Sequence, residues 1–204
     1  MDRWIKYPLY SLFPELSDQS TFDNVNEYVK SCDPTNKRFC VLINRHDMGN
    51  TRIPIYNLLS KIDNIDCPGK LLNNCSNVEL NNIGIPEYVR QYKFTICSEN
   101  FGEDHPGYIT EKILNSCLSG AIPIYYGRLD VEDLKIFNID RILILNATNI
   151  HEISDKVEEF MSNPVLFCNF YRQPVFKDSA YNTIVNMNTH IMTHFDHIRG
   201  LDII

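Results

Sequence analysis

Tyr92-Lys93-Phe94-Thr95-Ile96-Cys97, a polar loop, and then Thr110-Glu111-Lys112-Ile113-Leu114-Asn115-Ser116-Cys117-Leu118-Ser119-Gly120-Ala121-Ile122-Pro123-Ile124-Tyr125-Tyr126-Gly127 form the stretch that decides the fold. The first piece is a short apolar run, as expected of a strand buried on both faces. Thr110 is a good N-cap, and Ile113, Leu114, Cys117 and Leu118 make an apolar stripe at helical spacing. Gly120 is placed to end that helix. Ala121 to Tyr126 is a second apolar run, closed by Gly127. Strand, helix and strand in this order imply two parallel strands joined by a helical crossover.

The pattern continues on both sides. Upstream, Phe39 to Ile43 reads as a strand, and Arg52 to Ile62 as a helix with Ile55, Leu58, Leu59 and Ile62 on one face. A short hydrophobic piece around Ile65, a turn at Pro68-Gly69 and an Asn-rich stretch lead to a brief helix near Pro86 to Arg90. Downstream, Val131 to Phe137 and Ile150 to Met161 read as helices, Arg141 to Leu145 as a fourth strand, and the tail to Ile204 as more helix. The opening from Asp2 to Asp33 is aromatic and broken by Pro8 and Pro14, with one short helix expected around Val25 to Lys30. The expected fold class is α/β, a Rossmann-like parallel sheet with helices on both faces.

Composition narrows the function classes. The 204 residues are 44% hydrophobic and 22% charged, ordinary for a globular protein. A net charge of -7 argues against a general nucleic-acid binder. No apolar run approaches the ~18–20 residues of a membrane span, and Met1 to Tyr10 has no signal-peptide core. The seven cysteines are scattered, with no C-x-x-C pair, and are expected to be mostly buried free thiols in a reducing, cytoplasmic setting. Asn74-Cys75-Ser76 and Asn146-Ala147-Thr148 match glycosylation acceptors and are read as chance.

In open α/β sheets, ligands gather beyond the carboxyl ends of the strands. Three segments lie there: Asn44 to Arg52, Ser98 to Lys112, and Gly127 to Asp130. The dinucleotide fingerprint, the P-loop and the nucleophile elbow are all absent. Glu111 and Lys112 stand at a helix mouth, where unpaired N–H groups and the helix dipole favour an anion. A lysine there opposes the dipole, which hints at a ligand anion. Spacing alone leaves a plain helix start equally open. Arg52, past a loop of small polar residues, has the planar fork to clamp a diphosphate. By position alone it reads better as a solvated helix-end arginine.

Other groupings have blander readings. His190, His194 and His197 share one helix face but read as a polar surface near a C-terminus rather than as zinc ligands. Glu103-Asp104-His105 resembles an acid/base cluster, which loop polarity explains as well. Tyr125-Tyr126 reads as sheet core and strand end.

The order of these segments carries a resemblance. Tyr92-Lys93-Phe94, Ser98-Glu99-Asn100, Tyr108-Ile109-Thr110-Glu111-Lys112 and Gly120-Ala121-Ile122-Pro123-Ile124 resemble the signature of family 10 glycosyltransferases, the α-1,3-fucosyltransferases. That family reads Y-K-F, F-E-N, Y-[VI]-T-E-K and G-[AT]-[IV]-P-[IV] in this order. Phe39 to Arg52 and Gly69 to Asn74 are also similar to family segments, as is Tyr7-Pro8-Leu9-Tyr10 to a stretch near the end of the acceptor-side domain. The resemblance is good from Phe39 to Leu145 and weak in the tail.

The resemblance implies the C-terminal, donor-binding half of a GT-B glycosyltransferase using GDP-fucose and inverting at the transferred sugar. Residues 1–36 would be a remnant of the acceptor-side domain or a linker, and residues 37–204 the GDP-fucose-binding domain. By motif, Arg52 and Lys112 would neutralise the diphosphate, and Lys112 with its helix amides would stabilise departing GDP. Glu111 would accept hydrogen bonds from sugar hydroxyls, while Asn100 and Tyr108 would line the pocket. No metal is expected to be obligatory, since there is no D-x-D pair. Ser98 departs from the family's phenylalanine. The acceptor would be a glycan. The general base that inversion needs has no matching motif here, which leaves room for a separate acceptor-domain chain or for a non-catalytic nucleotide-sugar-binding module.

Overall fold

The computed structural model describes residues 8–101 and 108–201. Its centre is a five-stranded sheet of β1 (Arg38–Val41), β2 (Ile65–Asp66), β3 (Tyr92–Ser98), β4 (Ile122–Tyr126) and β5 (Leu143–Leu145). The strands lie in the order β2-β1-β3-β4-β5, and every neighbouring pair is parallel. In the long central pair Phe94 lies opposite Ile122 and Cys97 opposite Tyr125. The chain steps from β1 to β2 in one direction and then crosses back over β1 to reach β3. The strand order therefore reverses between β1 and β3, where such sheets open a crevice at their carboxyl edge.

The helices are α1 (Gln19–Ser31), α2 (Arg52–Leu59), α3 (Val78–Ile83), α4 (Ile85–Val89), α5 (Glu111–Ser119), α6 (Ile150–Ser162), α7 (Pro164–Tyr171) and α8 (Ala180–Leu201). Alternation along β3 shows that both faces are covered. Phe94 packs against Phe167 of α7, ring centroids 5.7 Å apart. From the opposite face, the Cys97 thiol reaches the Lys112 carbonyl of α5 at 3.4 Å. α2 packs with α6, and α4 with α5. This double cover explains the continuous apolar runs in the sequence. Gly120 ends α5 at φ +76°, and a Cβ there would stand 2.9 Å from Val29 Cγ1 and Tyr28 Cε1 of α1. Glycine thus both turns the chain and admits α1 against it.

The opening differs from the expected irregular segment. Asp18 accepts the Ser20 N–H at 2.9 Å as an N-cap, and α1 then runs for 13 residues, burying Phe22, Val25 and Val29. Pro14 begins a short 3-10 turn ahead of it and so breaks nothing. This segment shares the main core: Phe22 packs on Phe176 at 5.1 Å, and the Asn26 side chain bonds both N–H and C=O of Phe176.

Two further elements depart from expectation. The piece at Ile65 is a fifth, edge strand, too short to show a period; Asn74 supports it by accepting from Cys67 N–H and donating to Ile65 C=O. Residues 131–137 hold only a short 3-10 turn, Asp133–Lys135. The buried Asp133 carboxylate accepts from Asp130 N–H at 2.8 Å and from the Tyr10 hydroxyl at 2.6 Å, which pins the loop before a helix can propagate. Among the described residues no helix is long and apolar enough to cross a membrane.

Candidate active site

The loops leaving β1 and β3 meet at the reversal point of the sheet. Thr51 and Ser98 share a hydroxyl–hydroxyl bond of 2.7 Å, which ties the end of β3 to the loop leaving β1. Gly49, at φ +89°, brings its backbone so close to Asn100 that a Cβ would sit 2.8 Å from the Asn100 carbonyl. Arg52 follows at the start of α2, whose first amide is held by Asp47 Oδ1 at 2.8 Å.

Arg52 is not the solvated arginine that its position allows. It is fully buried, and its guanidinium donates to His46 C=O at 2.5 Å, Ser98 C=O at 2.9 Å and Asn100 Oδ1 at 2.6 Å. Only Nε has no partner. Burial lowers its pKa, while the charges of Asp47 and Glu99 oppose that shift. Asn100 passes the network on, donating from Nδ2 to the Tyr108 hydroxyl at 3.2 Å. Arg52, Asn100 and Tyr108 are therefore one connected group.

The other half of the site is the mouth of α5. Glu99, the residue after β3, is completely buried. Its carboxylate accepts the Thr110 N–H at 2.8 Å and the Thr110 hydroxyl at 2.7 Å, and the Lys112 ammonium stands 3.4 Å away. Thr110 thus spends its hydroxyl on Glu99 and makes no side-chain cap to the helix it precedes. The first-turn amides of α5 are left uncapped beside a lysine, which is the chemistry of an anion site. Lys112 Nζ also touches Thr110 Oγ1 at 2.9 Å and Glu111 Oε1 at 3.5 Å. The ammonium is held in place yet partly open to solvent, and the Glu111 side chain is more exposed still.

The structure thus joins Arg52, Asn100 and Tyr108 in one hydrogen-bonded group and Glu111 and Lys112 in a second, and the Glu99-Asn100 step links the two. Sequence reasoning passed over Glu99 as an individual and missed Asp47. The signal for Glu99 was a carboxylate at a strand's end, eleven residues before a threonine that ought to cap a helix. Tyr125 is buried in the sheet as expected; burial, with Glu99 and Asp133 nearby, pushes its hydroxyl well above the ordinary range. Glu103-Asp104-His105 lies outside the described residues. His190 and His194 are exposed on α8. Among the described residues, no group of three His, Cys, Asp or Glu is disposed to hold a metal ion.

Comparison with known proteins agrees with this architecture. α-(1,3)-Fucosyltransferase B of Drosophila melanogaster is 30% identical over 149 residues, covering 68% of this chain and 32% of its own length. α-(1,3)-Fucosyltransferase FucT of Helicobacter pylori is 34% identical over 107 residues, 52% of this chain and 21% of its own length. The chain spans about a third or less of the curated relatives it matches. Crystal structures of an α1,3-fucosyltransferase with GDP and with GDP-fucose share the fold. Their TM-scores are 0.67 and 0.61 at 20% and 22% identity, covering 95% and 85% of this chain and 66% and 53% of theirs. The family model for glycosyltransferase family 10 (fucosyltransferase), C-terminal region, matches residues 32–192, and the chain belongs to that family.

Proposed function

We propose that residues 37–204 are the donor-binding half of a fucosyltransferase that takes L-fucose from GDP-β-L-fucose to a glycan hydroxyl, with inversion, to give an α-1,3-type linkage. In this reading residues 1–36 belong to the acceptor side or to its linker. One observation carries the proposal: the uncapped mouth of α5, with Lys112 beside it, opens at the reversal point of a parallel sheet. A diphosphate fits there, because backbone amides and an ammonium already converge on it. The fucosyltransferase structures that share this fold were solved with GDP and with GDP-fucose, which supports the choice of ligand.

The roles follow from reach and charge. Lys112 and the α5 amides neutralise the charge that grows on GDP as the bond to the sugar breaks. Glu111, exposed and acceptor-only, takes hydrogen bonds from ribose or fucose hydroxyls. Arg52 reaches a phosphate oxygen by exchanging it for Asn100 Oδ1; until then it holds the two loops in register. Tyr108 and Asn100 line the sugar side. Protein cations and a helix end supply the counter-charge, so no obligatory metal is proposed. The acceptor hydroxyl loses its proton to a base that we assign to no residue of this chain, and an acceptor domain on another segment or chain would bring it.

GDP and GDP-fucose are expected to raise the melting temperature, and each to compete with the other. Lys112→Ala is expected to weaken GDP binding by roughly 10- to 100-fold, the range for a charge-assisted contact. No thermal shift at millimolar GDP, or an unweakened Lys112→Ala, contradicts the proposal. Fucose transfer to galactosyl- or glucosaminyl-terminated acceptors separates an enzyme from a binding module.

A further inference from the structure

α8 is 22 residues long, yet it packs on the body only by its start. Ala180, Thr183 and Ile184 are buried, against α1 and the 3-10 turns Leu9–Leu12 and Pro14–Ser17. From Val185 to Asp196 no residue is buried. That stretch is rich in poor helix formers, among them Val185, Asn186, Asn188, Thr189 and Thr193. Ion pairs along the helix do not support it either, since no Asp, Glu, Lys or Arg occurs from Ser179 to Phe195. α6 shows how this chain builds a solvated helix face, with exposed Glu152, Asp155, Lys156, Glu158 and Glu159. A helix without propensity or charge pairs owes its stability to packing, and the second half of α8 has little of its own.

One face of α8 repeats as a coiled-coil seam does. Ile184, Asn188, Ile191 and Phe195 follow one another at spacings of four, three and four, and in the sequence Ile198 continues the series. Val185 and Met192 flank the seam. It runs from core into solvent: Ile184 is 1% exposed, Phe195 54% and Met192 59%. Away from the seam, the Thr189 and Thr193 hydroxyls turn back to the Val185 and Thr189 carbonyls at 2.8 and 2.9 Å.

The chemistry of this face selects its partner. It carries no formal charge, so it offers nothing to a nucleic acid or an anionic lipid surface, which call for Lys and Arg. Two copies of this chain, each with a net charge of -7, repel one another, and an uncharged face is where they meet at least cost. A heptad seam is also self-complementary, as a two-fold contact requires.

We infer that the second half of α8 packs along the α8 of a second copy, making the protein a homodimer joined by a short two-helix seam. Ile191, Met192 and Phe195 form its centre. Residues 185–201 give a seam of about 25 Å. An interface of that size forms and dissociates with concentration. The donor site plays no part in it.

Sedimentation equilibrium of the full chain, with Met192→Glu, Phe195→Glu and Val165→Glu, tests the dimer. The parent's mass is expected to climb from 23.8 kDa toward twice that value as concentration rises, and its melting temperature to climb with it. Met192→Glu and Phe195→Glu change side chains already half in solvent, so both are expected to melt with the parent where all are monomers. Each sets like charges against one another across the seam and is expected to weaken the dimer by about tenfold or more. Val165→Glu, an exposed change on α7, is expected to dimerise as the parent does. A parent that stays at 23.8 kDa at every concentration would leave this face to another segment or chain and overturn the inference. Dimers of parent strength in both seam variants, or an equal weakening by Val165→Glu, would also overturn it.

Discussion

Among single residues, Lys112 stands out because its type conflicts with its place: a lysine in a first helical turn stabilises nothing by the dipole, whereas Glu111 is of the type that a first turn favours. Arg52 was half legible. Its position at a helix start was read correctly, but nothing local shows that its fork meets, besides the nearby His46 carbonyl, the distant Ser98 carbonyl and Asn100 Oδ1. Arg141 was not legible at all. It begins an apolar run, yet it is buried and donates to Tyr171, Ala121 and Gly120 carbonyls while lying over the Tyr171 ring at 4.9 Å. It thus caps the C-terminal end of α5 and ties it to α7. Arg141→Ala leaves those buried carbonyls without their donor, and a loss of about 3 kcal/mol is expected in urea unfolding. A change within experimental error would show that the carbonyls find other partners.

Elements were read well where periodicity was long and poorly where caps decided the outcome. β3, α5 and β4 follow from apolar pattern and a glycine, and the structure returns them nearly residue for residue. α1 was read only in its second half, around Val25 to Lys30, because its stripe is short and its starting signal is Asp18, an N-cap that looks like any loop aspartate. The hydrogen bond that its carboxylate accepts from the Ser20 N–H lowers the Asp18 pKa in the folded state. The stability it gives is therefore present above the unfolded carboxylate pKa and is lost as pH falls through the lower, folded value. Asp18→Ala should lower the melting temperature at pH 7, and the gap to the parent should narrow below about pH 4. A constant gap across that range would rule out the charged cap. Gly120→Ala forces a Cβ into α1 at a left-handed position, and a cost of about 2 kcal/mol or more is expected from thermal unfolding.

Over the whole molecule, alternation of strands and helices was enough to give a parallel sheet covered on both faces, and the order of motifs was enough to give the family. The edge strand β2, at two residues, lay below what any pattern can show. The partition of the cysteines is a property of the whole core. Cys40, Cys67, Cys97 and Cys117 are buried, and burial pushes the Cys117 and Cys67 thiols up to about 12. Native protein at pH 8 should alkylate only at Cys32, Cys75 and Cys168, with the other four reacting after denaturation, as read by mass spectrometry.

The central claim is that a diphosphate-bearing nucleotide sits where the loops after β1 and β3 meet the mouth of α5. An amide chemical-shift titration with GDP tests it most directly. The account predicts saturable shifts concentrated at Glu111, Lys112 and Ile113, at Asn100 and at the 44–52 loop, and their loss in Lys112→Ala. Shifts clustered elsewhere, such as the groove between Lys30 and Arg172, or no shifts at millimolar GDP, would contradict it.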